Sequence, residues 1–223
     1  MNTYFIYSKS LKKNTDSSKQ PTLLLIHGLE SFRYTLSILT WRFRKAGWNV
    51  LRYRYPCHEA SLYDVAHDLS KKLKELPSEQ YPDYAIGYSM GGVILSEILK
   101  SALLFPRVLL LGSPLLYSQM AALLAQYSVF KKIFGPSLMD LAKPRRPDFD
   151  SSIEAATLAG YGPIAKKMNP LLSGANDGLV QVKEAHPDFI KHQKTIYGTH
   201  PELVVRKAPF DAMKYYLENG KFN

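Results

Sequence analysis

A serine flanked by glycines lies near the middle of the chain, in the sequence Gly87-Tyr-Ser-Met-Gly91. An apolar run at 84–86 precedes it, and a helical run follows over 92–99. A sharp turn that presents a serine between a strand and a helix is a nucleophile elbow. Glycines are needed on both sides because a Cβ atom there would collide with the neighbouring strand or helix. The pattern predicts that Ser89 is an exposed nucleophile in a strained turn.

A catalytic serine needs a histidine that removes its proton. Three histidines follow Ser89, and they are His186, His192 and His200. His200 comes directly after a strand-like run at 195–197 and a Gly-Thr turn, which predicts a place at the carboxyl edge of the sheet. His186 and His192 lie in a charged, helix-like stretch where we expect them to be solvated. We therefore predict that His200 is the base.

The histidine in turn needs an acid that holds its tautomer and stabilises its charge. Asp177 follows a run at 169–173 that has the pattern of a strand, so we predict that Asp177 is this acid. The alternative is that Asp177 is only the turn residue of an Asn-Asp-Gly sequence. Three other aspartates lie in a loop rich in Pro, Lys and Arg, and we expect them to be surface charges: Asp140, Asp148 and Asp150.

Backbone N–H groups usually hold the oxyanion that forms when a serine attacks a carbonyl. One comes from the residue after the nucleophile, here Met90, and a second from a loop after an earlier strand. The apolar run at 22–26 leads into His27-Gly28-Leu29, so we predict Leu29 as the second donor. His27 is an alternative base, but the base usually follows the nucleophile in this topology, which favours a bracing role for His27.

Predicted strands and helices alternate along the chain. Continuous apolar runs at 22–26 and 108–111 are typical of strands buried on both faces of a parallel sheet. Further strands are predicted at 49–55, 84–86, 169–173 and 195–197, and helices at 32–46, 62–76, 92–99 and 209–217. This order implies an α/β fold with a mostly parallel central sheet, right-handed crossovers and helices on both faces.

The order Ser89, Asp177, His200, with His27-Gly28 early in the chain, resembles the α/β-hydrolase superfamily. The resemblance is closer to its small bacterial esterase-like and lipase-like members, and it runs from about residue 23 to residue 222. The stretches that carry it lie at 87–91, 107–114, 134–136, 169–180 and 198–200. The resemblance implies the α/β-hydrolase fold in a single domain, residues 1–223, without a large separate cap.

The same resemblance implies roles for the residues singled out above. Ser89 is then the nucleophile of a carboxylic ester hydrolase that forms an acyl-enzyme, with His200 as general base and acid. Asp177 orients His200, and the oxyanion donors are Leu29 and Met90. Acyl transfer or thioester hydrolysis with the same triad is an alternative. A binding module, in which an inactive hydrolase scaffold docks on anionic membranes or partners, is another.

The sequence also departs from many relatives near the expected site. Tyr88 stands before the serine where many relatives have His, and Tyr53-Arg54-Tyr55 stands where relatives often have an Asp after the third strand. Residues 114–117 replace a loop that contains glycine in many relatives. These departures leave the three site residues in place and affect the expected substrate preference.

Composition restricts the cofactors and partners. The single cysteine, Cys57, excludes an intramolecular disulfide and a cysteine-cluster metal site, and we expect neither a metal nor another cofactor. A thiol nucleophile at Cys57, beside His58, is a weaker alternative. No apolar leader and no run of about 20 apolar residues stands out, so we expect a cytoplasmic protein. The 29 Lys and Arg exceed the 19 Asp and Glu, but no nucleic-acid-binding motif accompanies this surplus, and we expect no nucleic-acid partner.

The segment 115–135 is long and apolar, and it follows a strand whose end faces the predicted site. It is predicted to form a lid or an acyl pocket for a small-molecule or lipid ester. A helix that packs on the sheet is the alternative, and both descriptions can hold together. Lysine and arginine clusters flank this segment, which indicates peripheral contact with an anionic membrane.

Overall fold

A central sheet organises the chain in the computed structural model, which describes residues 2–12, 20–28, 35–101, 105–147, 153–162 and 168–223. Within these ranges the sheet has seven strands in the order β1-β3-β2-β4-β5-β6-β7. The strands are β1 (Tyr4–Ser8), β2 (Thr22–Ile26), β3 (Asn49–Arg54), β4 (Tyr84–Tyr88), β5 (Arg107–Leu111), β6 (Glu154–Tyr161) and β7 (His192–Tyr197). Only β1 pairs antiparallel, with β3, so the mostly parallel sheet is confirmed.

Helices cover both faces of this sheet. They are α1 (Thr35–Ala46), α2 (Leu62–Lys74), α3 (Met90–Ile98), α4 (Gln119–Leu124), α5 (Ser128–Leu141), α6 (Val182–Ala185), α7 (Glu202–Val205) and α8 (Lys207–Asn219). Two 3₁₀ turns, Ser78–Gln80 and Leu99–Ser101, follow α2 and α3. Among the described residues no helix is both long enough and apolar enough to cross a bilayer. The single-domain organisation and the cytoplasmic location stay predictions.

Two apolar cores lie on opposite faces of the sheet because its central strands are buried on both sides. Along β2, Leu24 and Ile26 join the core beneath α2 and α3, whereas Leu23 and Leu25 join the core beneath α1 and α8. Such continuous burial explains why 22–26 reads as an unbroken apolar run. The parallel register places the carboxyl ends of β2, β4, β5 and β6 side by side, which creates one edge for a site.

Two sequence predictions about elements are wrong. Residues 169–173 form turns, and the strand that precedes Asp177 is β6, which no predicted element covered. Asn176 explains the turns, because its Oδ1 accepts hydrogen bonds from the backbone N–H groups of Met168, Asn169 and Gly178 at 2.8–3.1 Å. The Asn176 side chain thereby accepts hydrogen bonds from backbone N–H groups that would pair with a neighbouring strand if this segment were part of the sheet.

The apolar segment 115–135 contains α4 and the first part of α5. Leu115 and Ala121 are buried in one core, so the packing alternative is correct for this part of the segment. Gly135 has φ +62° and kinks α5, and a Cβ atom there would collide with the backbone of His58. Ser137 Oγ donates to the carbonyl of Ala60 at 2.9 Å, which fastens α5 to the loop after β3.

Candidate active site

Ser89 lies between the end of β4 and the start of α3, as the elbow pattern predicts. Its φ of 56° and ψ of −125° make it the only non-glycine residue with positive φ among those the structure describes. Tyr88 and Met90 on either side are buried, whereas Ser89 is half-buried. The Ser89 N–H donates to the carbonyl of Leu111 at 2.8 Å, and this bond helps to hold the strained turn against β5.

Glycines allow the elbow to pack tightly against β2 and against its own helix. A Cβ atom at Gly91 would lie 2.5 Å from the carbonyl oxygen of His27, and one at Gly87 would lie 2.6 Å from the nitrogen of Gly92. Gly28 packs against the serine side chain, since a Cβ atom on it would lie 2.8 Å from Ser89 Cβ and 3.3 Å from Ser89 Oγ. The loop after β2 therefore packs directly against the serine.

His200 and Asp177 form a buried pair in which Nδ1 of the histidine lies 2.7 Å from Oδ2 of the aspartate. The other carboxylate oxygen, Oδ1, accepts from the N–H groups of Leu179 and Val180 at 3.0 and 2.8 Å. One oxygen of Asp177 therefore makes the hydrogen bonds of a turn residue, and the other makes the contact with His200 that the predicted acid requires. The His200 N–H also donates to the Asp177 carbonyl at 2.9 Å, so backbone and side chain both fix the pair.

Two contacts connect this pair to the elbow. The Tyr88 hydroxyl donates to the His200 carbonyl at 3.0 Å, and the two rings stack with their centroids 4.9 Å apart. A Cβ atom at Gly112 would lie 3.2 Å from His200 Cε1, and Gly112 directly follows Leu111, which binds the Ser89 N–H. The structure therefore brings Ser89, Asp177 and His200 to the same sheet edge.

Tyr88 keeps its proton in this position. Burial and the nearby charge of Asp177 raise the pKa of the Tyr88 phenol well above its ordinary value. The neutral phenol is the form that can donate to the His200 carbonyl. The residue that differs from many relatives therefore supports the backbone of the predicted base.

Of the two predicted oxyanion donors, Met90 lies within the described residues and Leu29 does not. Met90 is the first residue of α3, where a backbone N–H has no partner within the helix. Leu29 lies outside the described residues. The loop that leads to it is braced by His27, as predicted, because its Nδ1 lies 2.6 Å from the Gly28 carbonyl. Tyr55 adds a second brace, since its hydroxyl donates to the His27 carbonyl at 2.5 Å and its ring stacks on the imidazole.

The histidines set aside as bases lie in positions unlike those predicted. His186 is half-buried rather than solvated, and its Nδ1 lies 2.6 Å from Thr157 Oγ1 on β6. Burial lowers the pKa of the His186 imidazole below its ordinary value. His192 begins β7 instead of lying in a helix-like stretch, and its ring lies 5.9 Å from that of Tyr216. Neither of these contacts involves Ser89.

The other residues considered from the sequence are the aspartates predicted to be surface charges and the single cysteine. Asp140 is buried, not a surface charge, and its Oδ2 accepts from the Leu62 N–H at the start of α2 at 3.1 Å. Asp148 and Asp150 lie outside the described residues. Cys57 is buried in the core beneath α2 and α3. No group of three or more His, Cys, Asp or Glu in the described ranges could hold a metal ion.

The profile of the alpha/beta hydrolase family matches residues 23–203, which include all of the residues assigned above to the site. The chain belongs to the alpha/beta hydrolase family. No curated protein matches this hydrolase in sequence. Its fold is similar to that of mature BlEst2, a lipase of Bacillus licheniformis, with a TM-score of 0.71 and 16% identity over 98% of both chains.

Two further structures resemble this alpha/beta hydrolase. The propeptide form of the same lipase gives a TM-score of 0.73 at 18% identity over 96% of the present chain, which spans about half (53%) of that longer chain. EaEST, an esterase of Exiguobacterium antarcticum, gives a TM-score of 0.66 at 13% identity over 97% of this chain and 96% of its own. At these identities the likeness establishes the fold.

Sequence reasoning missed two residues that support the site of this hydrolase. Tyr88 carried a signal, because it directly precedes the predicted nucleophile and departs from many relatives. Tyr55 lies in the run Tyr53-Arg54-Tyr55, which also departs from many relatives, but the contact of its hydroxyl depends on how far β3 extends beyond β2 at the sheet edge. A residue after one strand can contact the loop after the neighbouring strand only if the register of the two strands brings them level. The sequence alone does not show this register.

Proposed function

We propose that this protein is a serine hydrolase that cleaves carboxylic esters through an acyl-enzyme. The observation that carries the proposal is the buried His200–Asp177 pair, 2.7 Å between Nδ1 and Oδ2, at the sheet edge that also holds the strained Ser89. Membership of the alpha/beta hydrolase family supports a hydrolytic reaction. The lipase and the esterase among the similar structures support an ester as the substrate.

In the proposed reaction, Ser89 Oγ attacks the ester carbonyl carbon while His200 Nε2 accepts the serine proton. The N–H groups of Met90 and Leu29 stabilise the oxyanion. Collapse of the tetrahedral intermediate breaks the bond to the alkoxy oxygen, and His200 donates its proton to the leaving alcohol. His200 then takes a proton from water as the water oxygen attacks the acyl carbonyl carbon. Collapse of this second intermediate breaks the bond to Ser89 Oγ, which takes the proton back from His200, and the carboxylic acid is released.

Asp177 has a fixed place in this mechanism. Its contact with Nδ1 favours the tautomer in which Nδ1 is protonated and Nε2 is left to accept the serine proton. Because Asp177 Oδ1 is held by two backbone N–H groups, the carboxylate stays oriented while the imidazole gains and loses its charge. The apolar acyl group is proposed to lie beside the inward-facing residues at the start of the segment 115–135, where buried Leu115 follows β5 at the same edge.

Turnover of a series of p-nitrophenyl esters of increasing acyl length tests the proposal. We expect hydrolysis by the wild-type protein and a loss of at least about 1000-fold in kcat for Ser89→Ala, since the nucleophile is removed. Ser96→Ala is the matched control, because Ser96 lies on α3 and its Oγ donates to the Val93 carbonyl in the same helix at 2.7 Å. Absence of turnover with every ester, or equal activity of Ser89→Ala, would overturn the proposal.

A further inference from the structure

The turn between α4 and α5 exposes apolar and basic side chains side by side. Tyr127, Val129 and Ile133 are 60%, 57% and 50% exposed, although each has a large apolar side chain. Lys131 and Lys132 lie between them in the sequence and are exposed as well. These five residues are called the hairpin surface below.

The packing of α5 explains why part of this surface faces outward. Phe130 and Phe134 are partly buried against the core, and their rings stack with centroids 6.2 Å apart. Val129 and Ile133 are one helical turn apart and therefore share another stripe of the helix. The side of α5 that carries Phe130 and Phe134 packs on the core, whereas the stripe with Val129 and Ile133 is exposed.

The hairpin surface and the sequence on either side of it carry exposed charge of one sign. The sequence from residue 119 to residue 139 contains two lysines and no aspartate or glutamate. The next carboxylate, Asp140, is buried and accepts a hydrogen bond from the Leu62 N–H. Exposed Lys143 and Arg146 follow, so the positive charge continues past the end of α5.

The hairpin surface is also tied to the sheet edge that holds the candidate site. The Leu115 N–H, just after β5, donates to the carbonyl of Glu184 at 2.9 Å, and Glu184 Oε1 accepts from the N–H of Gln119 at the start of α4 at 2.9 Å. On the other side, Ser137 Oγ bonds to the loop after β3. The helices α4 and α5 thus connect two loops at the carboxyl ends of the strands.

We propose that the hairpin surface docks this protein on an anionic lipid membrane. Exposed aliphatic and aromatic side chains enter the boundary between headgroups and acyl chains, and lysines beside them attract anionic headgroups. A purely basic surface would suit any polyanion, and a purely apolar surface would suit another protein, but this surface combines both features. Docking would present the sheet edge with Ser89 to esters in the membrane, a consequence that rests on the proposed function.

Flotation of the purified full-length protein with lipid vesicles tests the docking. The vesicles contain either phosphatidylcholine alone or equal amounts of phosphatidylcholine and phosphatidylglycerol. We expect binding to the anionic vesicles that weakens as salt is added, and much weaker binding to the neutral ones. Val129→Ser/Ile133→Ser and Lys131→Glu/Lys132→Glu should each weaken binding to anionic vesicles by at least about tenfold.

A matched control separates a local effect from the effect of total charge. Lys71→Glu/Lys74→Glu changes two exposed lysines of α2 and alters net charge by the same amount as the hairpin pair. This control should bind within about twofold of the wild type. Equal loss in the control, equal binding to neutral vesicles, or no vesicle binding by the wild type would overturn the docking proposal.

The test also distinguishes failure of docking from failure of catalysis. Ser89→Ala should bind the vesicles as the wild type does, because its hydroxyl is not part of the hairpin surface. The hairpin variants should hydrolyse a short soluble ester at the wild-type rate. Loss of that soluble activity would show that the hairpin surface belongs to the ester site, which also overturns the docking proposal.

Discussion

Ser89 has a backbone conformation that residues with a Cβ atom rarely adopt. Strain of this kind costs about 1–3 kcal/mol, and surrounding structure must hold it. The Leu111 carbonyl and the close packing of Gly87 and Gly91 provide that support. In return, the serine stays half-buried while both of its neighbours are buried. The strain thus accompanies the accessibility that a nucleophile needs.

The choice of base is tested by two alanine variants. His200→Ala removes the imidazole that contacts Asp177, and we expect kcat for a p-nitrophenyl ester to fall by at least about 1000-fold. His186→Ala removes a ring that contacts Thr157, so kcat should stay within about threefold of the wild type. Equal losses in the two variants would mean that the base is assigned wrongly.

Tyr55 is expected to position the loop that leads to Leu29, the proposed second oxyanion donor. Tyr55→Phe removes the hydrogen bond to the His27 carbonyl, a bond worth about 1 kcal/mol, so we expect kcat to fall about fivefold with KM little changed. Tyr53→Phe is the control, because Tyr53 lies in β3 two residues before Tyr55 and its hydroxyl donates to Asp68 Oδ2 instead of to this loop. Steady-state kinetics that show equal kcat values for wild type and Tyr55→Phe would contradict the positioning role.

At the scale of elements, the sequence predicted the strands that position Ser89 but missed the strand that positions Asp177. β2, β4 and β5 are rich in large apolar residues, which give a clear signal. β6 has the sequence EAATLAGY, in which small residues weaken that signal. The small residues are needed, since a Cβ atom at Gly160 would lie 2.7 Å from the Gly198 carbonyl and 2.8 Å from Asp177 Cβ. The close approach of the loops that carry Asp177 and His200 therefore requires a small residue in β6, and this weakens the sequence signal of the strand.

The contact between His186, just after α6, and Thr157 on β6 predicts a pH dependence of stability. Burial lowers the pKa of His186 below its ordinary value of 6.5, so the unfolded chain binds this proton more readily than the folded chain. The stability that neutral His186 contributes is present above pH 6.5 and is lost as the pH falls through 6.5 toward the lower folded-state pKa.

Urea denaturation at several pH values measures this effect. Between about pH 7.5 and pH 5, the free energy of unfolding of the wild type should fall more than that of His186→Gln. Other titrating groups are common to both proteins, so the difference between the two curves isolates His186. Parallel curves over this interval would contradict the account.

At the level of the whole molecule, one sheet lies between two apolar cores and contributes side chains to both. Successive residues of β5 alternate between them, since Leu110 lies in the core beneath α2 and α3 and Leu109 lies in the core beneath α1 and α8. The sequence predicted burial on both faces, because alternation of polar and apolar residues is absent from this strand. It could not show how α4 and α5 divide the segment 115–135, since the kink at Gly135 depends on contact with the distant His58 backbone.

The shared sheet predicts that the two cores unfold together. Leu109→Ala and Leu110→Ala should each lower the free energy of unfolding by about 2–5 kcal/mol, because each leaves a cavity in one core. Leu171→Ala, at a side chain that is 72% exposed, is the control and should change it by less than about 0.5 kcal/mol. Urea denaturation followed by tryptophan fluorescence and by circular dichroism should give one coincident transition. If fluorescence and circular dichroism gave separate transitions in either leucine variant, the two cores would unfold independently and the single-domain prediction would be wrong.

Labelling with a fluorophosphonate probe tests most directly the claim that Ser89 is an activated nucleophile. The folded wild-type protein should gain one covalent adduct, located on Ser89 by peptide mass spectrometry. Ser96→Ala should label as the wild type does, Ser89→Ala should not label, and His200→Ala should label far more slowly. A folded wild-type protein that does not react, or a Ser89→Ala variant that labels as strongly as the wild type, would contradict the claim.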